Sequence, residues 1–204
     1  MSAKSLLSRL NPRLKWRGIQ GLHYNEQGVS AVEFAIIAPL MILIYFGCIE
    51  LSFLMRMDRR VTSTSASLGD LTARLATVTD EDMGEMFAAA KVMMQPYDAE
   101  SGSMRISSIV DNGDGVTKVA WSDAYSMTAL SEGSVVTVPA GIIPSPGSAI
   151  VAEVQFNYTS PFGYVLKNER TVSDKFYLRP RRVNEISRTH KPDNDGTSFG
   201  PPTS

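Results

Sequence analysis

Residues 29–55 read VSAVEFAIIAPLMILIYFGCIELSFLM, and the fold turns on this stretch. Phe34 to Ile49 is 16 residues without a charge, and only Glu33 and Glu50 interrupt the full 27. At ~1.5 Å per residue, a helix of this length exceeds the ~30 Å hydrocarbon core of a bilayer. A helix buried in a soluble core rarely needs this length or such uniform apolarity. The stretch therefore predicts one transmembrane helix. The lone cysteine, Cys48, falls inside it and reads as a buried packing residue.

Outward from the helix, the charge is unevenly spread. The whole chain of 204 residues has a formal net charge of −1. Residues 1–28 carry +4, residues 29–60 sum to zero, and residues 61–204 carry −5. A basic head, an apolar segment and an acidic body is the layout of an exported or anchored chain. Five cations precede the apolar run, and Arg56, Arg59 and Arg60 follow it. The bias favours a cytoplasmic N-terminus, with the trailing arginines opposing it. The body then lies outside, in the periplasm of a two-membrane bacterium. A cleavable secretory signal fits poorly, because Arg56, Asp58, Arg59 and Arg60 stand where small cleavage-site residues belong.

Glu33 is an ionisable group at the start of the apolar run, where it needs a partner or a function. Gly28 stands five residues before it. Cleavage after Gly28 would make Val29 a new amino terminus, one helical turn from Glu33. The amine of one subunit could pair with Glu33 of a neighbour, offsetting both desolvation costs and fixing axial register. Pro39 removes a backbone donor and predicts a kink or a loosened turn. Glu50 lies about 260° around the helix from Glu33, so the two carboxylates do not form a pair. Glu50 reads as an interfacial residue near Arg56, or as a contact to a partner helix.

Gly28-Val29-Ser-Ala-Val-Glu33-Phe34-Ala-Ile-Ile-Ala-Pro39, followed by Gly47-Cys-Ile-Glu50, resembles the TadE-like family of the Tad (tight adherence, Flp type IVc) pilus machinery. A second, weaker echo is Phe176-Tyr-Leu-Arg-Pro-Arg181, similar to the aromatic-x-R-P-R ending of many members. The resemblance implies a pseudopilin or minor pilin in the bacterial inner membrane. Its implied partners are the membrane, other Tad pilins, the assembly platform and a prepilin peptidase acting at Gly28–Val29, with Glu33 and Phe34 completing the processing site. Glu33, Pro39, Gly47 and Glu50 become the motif for subunit pairing. Incorporation into a pilus is one end state. The pilins of this system usually carry Tyr where this chain has Phe34, and an uncleaved anchor is the other outcome.

The body predicts an α+β, pilin-like fold. Val61, Leu68, Leu71, Leu75 and Val78 form one helical stripe, so the membrane helix continues as an amphipathic stalk. Thr79-Asp-Glu-Asp82 reads as a helix start, with Met83, Met86, Phe87, Ala90 and Met94 on the buried face. Met104–Val110 and Val116–Trp121 flank DNGDG (111–115) and predict a hairpin. That turn lacks the ordered oxygen ligands of a calcium loop. Val135–Val138, Ala149–Thr159 and Thr171–Leu178 supply further strands of a small antiparallel sheet of about four. The expected divisions are a leader 1–28, transmembrane helix 29–55, helical stalk 56–95, α+β head 96–182 and mobile tail 183–204. Arg179, Arg181 and Arg182 read as a solvated strand end.

Composition narrows the function classes. One Cys and two His leave no ligand set for a structural zinc site and no intramolecular disulfide. No Walker loop, nucleophile elbow, HExxH or CxxC motif is present, so neither an enzyme nor a cofactor is expected, and the near-neutral charge gives no nucleic-acid footprint. A periplasmic binding module or enzyme held by a signal anchor is the alternative from another class. A type II secretion pseudopilin is a third.

Overall fold

The computed structural model describes residues 26–97, 102–164, 166–189 and 198–199. The expected leader 1–28 lies almost wholly outside them. The chain divides into two compact units, Met1–Ile49 and Glu50–Ser204. Helix α1 (Glu26–Ala73) is continuous in backbone assignment through Pro39. It is followed by β1 (Thr77–Thr79), α2 (Asp80–Met94), β2 (Gly102–Asp111), β3 (Thr117–Tyr125), β4 (Gly147–Tyr158), β5 (Arg170–Leu178), β6 (Ser187–Thr189) and β7 (Ser198–Phe199).

In the first unit, α1 leaves most of its apolar surface uncovered. Its large apolar side chains from Val29 to Tyr45 are between 50% (Ile44) and 72% (Ile36) exposed. An apolar surface this large and unbroken requires a partner or lipid, and α1 is long and apolar enough to cross a membrane. Cys48 is exposed on the same helix, which corrects its expected burial: its position faces away from the half-buried Phe46 and Ile49 and the buried Glu50.

In the second unit, four antiparallel strands run in the order β5-β4-β2-β3, with β7 added parallel to β3. The hairpin predicted around DNGDG joins β2 to β3. Gly113 and Gly115 take positive φ of 100° and 73°, which the turn demands of a residue without Cβ. Their N–H groups donate to Oδ1 of Asp111 at 2.8 and 3.2 Å. The acidic character of this loop is thus spent on its own backbone. Val135, expected in a strand, makes only an isolated bridge to Lys118.

One sheet face is apolar and receives both helices. Met57, Val61 and Leu68 of α1, and Met83, Met86, Phe87, Ala90 and Met94 of α2, share a core with Met104, Ile106, Trp121, Ile150, Val154 and Phe156. Leu71, expected in the same stripe, is 42% exposed, because the buried face passes from Leu68 through Thr72 and Ala73. Gly69 allows the close approach of α1: a Cβ there would lie 2.5 Å from Leu178 Cδ1 and 3.4 Å from Ala152 Cβ. The predicted cap of α2 forms in full. Thr79 accepts from Asp82 N–H at 3.2 Å, and the Asp82 carboxylate accepts from Thr79 N–H at 2.9 Å. The Thr79 hydroxyl and N–H together hold the Asp82 carboxyl below its usual range.

The opposite sheet face is polar. Ser107 and Ser122 bond across β2 and β3 at 2.8 Å, and Arg105 on β2 pairs with Glu153 on β4. Lys175 on β5 approaches the same carboxylate at 3.3 Å, and Gln155 donates to it at 2.9 Å. Burial pushes the Glu153 carboxyl upward, but Arg105, then Gln155 and Lys175, outweigh it and hold the group below the ordinary value. A depressed carboxyl pKa stabilises the fold above the unfolded value, and that contribution disappears as pH falls through the folded value. Glu153→Gln is therefore expected to lower the denaturation midpoint at neutral pH and, having no such contribution left to lose, to flatten the acid limb of the midpoint-against-pH profile.

The segment expected to begin a mobile tail at 183 is built into this unit through residue 189. Ile186 is fully buried, its carbonyl accepts from Trp121 Nε1 at 2.7 Å, and β6 pairs in parallel with β1. Arg188 enters the interior, with 3% of its side chain exposed. Its Nε donates to Asp123 Oδ2 at 2.7 Å and its Nη2 to Asp80 Oδ1 at 2.6 Å. Nη1 donates to the carbonyls of Val78 and Thr189. Burial alone would lower the Arg188 pKa; the bonds and charges of Asp123 and Asp80 raise it instead. A raised cationic pKa stabilises at every pH below the unfolded value, so this triad carries no switch near neutrality. The polar composition that suggested a tail hides one buried side chain and one buried charge. The remainder of the expected tail lies outside the described residues, apart from β7.

Candidate functional site

The motif residues of α1 separate into two environments. Gly28, Val29, Glu33 and Phe34 are exposed on the first helical turns, with Phe34 at 71%. Among the described residues, a Cβ placed on Gly28 meets nothing within 4 Å. Val29 and Glu33, four residues apart, share a helix face. Pro39 sits on the exposed apolar stretch, and Gly47 is half-buried.

Glu50 is different. It is fully buried, which corrects its expected place at the membrane interface beside Arg56 or on a partner helix. Tyr164 N–H donates to its Oε1 at 2.7 Å, and Leu166 N–H donates to its Oε2 at 2.6 Å. The carboxylate spans two alternate N–H groups of the loop after β4, replacing water for both and offsetting its own desolvation. The loop so held carries Phe162 and Tyr164, which are 45% and 67% exposed. Phe162 packs near Phe53 of α1, with ring centroids 6.3 Å apart. Sequence reasoning missed this latch because its partners are backbone groups more than a hundred residues away. A charge placed one turn before the end of an otherwise apolar run was the available signal.

The C-terminal echo also acquires a position. Arg181 donates its backbone N–H to Ala73 O, the end of α1, at 2.9 Å, and its guanidinium pairs with Asp70. Asp70 also pairs with Arg74, and Arg179 Nε donates to Ile142 O at 3.1 Å. The expected solvated strand end is therefore a clasp on the last turns of α1, with Leu178 against Gly69 a few residues earlier. Arg181 remains 55% exposed, so the ion pair itself adds little; the clasp rests on the backbone bond.

Among the described residues, no group of three His, Cys, Asp or Glu could hold a metal ion. What the geometry offers is an exposed apolar helix with an open Gly28–Glu33 turn, continued into a body that is packed on its own account.

These features define a class of protein: an α+β chain with one candidate membrane helix at its N-terminal side. The family model described as TadE-like protein matches residues 28–67. The match takes in every motif residue of α1 and covers about a fifth of the chain. No curated protein and no solved structure matches the chain.

Proposed function

We propose that this protein is a minor pilin or pseudopilin of the Tad pilus system, anchored in the bacterial inner membrane with a cytoplasmic N-terminus and a periplasmic body. The observation that carries the reading is the exposed turn Gly28–Glu33 at the head of an apolar helix, within the TadE-like segment. The prepilin peptidase cuts between Gly28 and Val29, with Glu33 and Phe34 as recognition residues. The new Val29 amine then pairs with Glu33 of a neighbouring subunit, which offsets two desolvation costs in the apolar interior and fixes the stagger of adjacent helices. Pro39 leaves one carbonyl without its helical donor, a weak point suited to a helix that moves from lipid into a filament.

Sequencing the mature N-terminus in cells with and without the peptidase tests the processing. A start at Val29 that depends on the enzyme is expected; an intact Met1 in both strains leaves an uncleaved TadE-like anchor and removes the pairing scheme. Glu33→Ala is expected to insert in the membrane normally and to reduce piliation at least tenfold, scored by electron microscopy. Unchanged piliation would remove Glu33 from subunit pairing.

A further inference from the structure

We propose that the groove beside Phe53, Arg56 and Arg59 on α1 binds the phosphate headgroup of an anionic phospholipid. The groove, of about 770 Å³, is lined by these residues together with Arg60, Pro96 and Tyr97. Arg56, Arg59 and Arg60 lie three and four positions apart and share a helix face. Arg60 is committed to the protein: its Nη1 donates to Met93 O at 2.8 Å and to Gln95 O, closing the end of α2. Arg56 lies over the Phe53 ring, 5.5 Å from its centroid. Among the described residues neither Arg56 nor Arg59 forms an ion pair, and both are exposed. The nearest carboxylate in sequence, Asp58, lines a different groove with Leu166 and Arg170.

Position along the chain selects lipid over a soluble anion. Because Glu50 is turned to the loop amides, the exposed apolar surface runs from Phe34 through Leu51 and Met55, which are 54% and 51% exposed. Those 22 residues rise about 33 Å in a helix, the thickness of a hydrocarbon core. Arg56 is the first cation beyond, at the depth of lipid phosphates, where guanidinium groups on apolar stems settle. Phe162 packs near Phe53, a residue of the groove wall, and is 45% exposed; exposed aromatic side chains favour this interfacial layer. The buried Glu50 carboxylate supports the same placement, since loop N–H groups near lipid need an internal acceptor.

The proposal rests on α1 as a membrane anchor and on no pilus role. Native mass spectrometry of the full chain, released from detergent with phosphatidylglycerol or phosphatidylcholine of identical acyl chains, tests it. Two interfacial arginines predict about ten- to thirtyfold greater retention of phosphatidylglycerol. The double substitution Arg56→Gln/Arg59→Gln is expected to bring the two lipids to parity, and Arg56→Lys/Arg59→Lys to keep most of the preference. Arg60 is left intact, so α2 keeps its closure. Equal retention by the wild type, or a preference unchanged in the Gln pair, overturns the site. Displacement of phosphatidylglycerol by inorganic phosphate would make it a soluble-anion site and overturn the lipid assignment. Flotation with vesicles after an alkaline wash tests the anchor separately: a chain washed off removes the anchor, whereas lipid parity in a retained chain removes the groove alone.

Discussion

Arg188→Met is expected to lower the unfolding free energy by about 3–5 kcal/mol, the cost of stripping a buried ion cluster of its central partner. Asp80 and Asp123 would keep side chains only 8% and 1% exposed and lose their shared cation. The effect should spread beyond the two carboxylates. Arg188 also holds the carbonyls of Val78 and Thr189, so the β1–β6 pairing and the start of α2 lose a common support. Arg188→Lys should recover only part of the loss, because one ammonium cannot reproduce a fork that reaches two carboxylates and two carbonyls. Adding Asp80→Asn and Asp123→Asn to Arg188→Met should restore much of the stability by removing two buried charges that have lost their shared cation. Denaturant unfolding of the detergent-solubilised chain, followed by near-ultraviolet circular dichroism of Trp121, measures all three. A midpoint for Arg188→Met equal to that of the wild type would contradict a structural role for the cluster.

Glu50→Ala is expected to cost about 2–3 kcal/mol, since two N–H groups lose a charged acceptor and a small cavity remains. The consequence should be local first. The loop from Thr159 to Glu169 would lose its attachment at Tyr164 and Leu166 and become more sensitive to limited proteolysis, while β2 and β4, paired along their full lengths, stay protected. Glu50→Gln keeps one acceptor oxygen and should fall between the wild type and Ala. Membrane insertion should be unaffected in both variants, because the apolar run before residue 50 is untouched. Equal cleavage rates in wild type and Glu50→Ala would remove Glu50 as the latch. The residue that closes the G-x-x-E element of the TadE-like segment is thus bound to its own body, whereas Glu33 is left open to other molecules.

Much of the fold was legible in local chemistry. The 16 uncharged residues from Phe34 are long enough to define the helix without reference to the remainder of the chain. The Thr79–Asp82 box, the Met83–Met94 face and the DNGDG turn each depend on residues within a few positions of one another. Such signals survive any tertiary context that does not oppose them. Leu71 fell outside the core because the 3.6-residue period admits the neighbouring position equally well, and the body it packs on took Thr72 instead.

The sequence alone determined the long apolar helix, helix α2, strands β2 to β5, the hairpin and the Gly28–Glu33 motif, because each is written in spacing along a short stretch. Only the tertiary structure decided that Glu50 faces inward, that Arg181 clasps the end of α1, and that residues 186–189 belong to the core. In each case the deciding partner lies far along the chain: Tyr164 and Leu166 for Glu50, Ala73 and Asp70 for Arg181, Trp121 and Asp123 for Ile186 and Arg188. A charge carries no mark of its burial until the fold supplies the group that neutralises it, and no period or composition records that meeting.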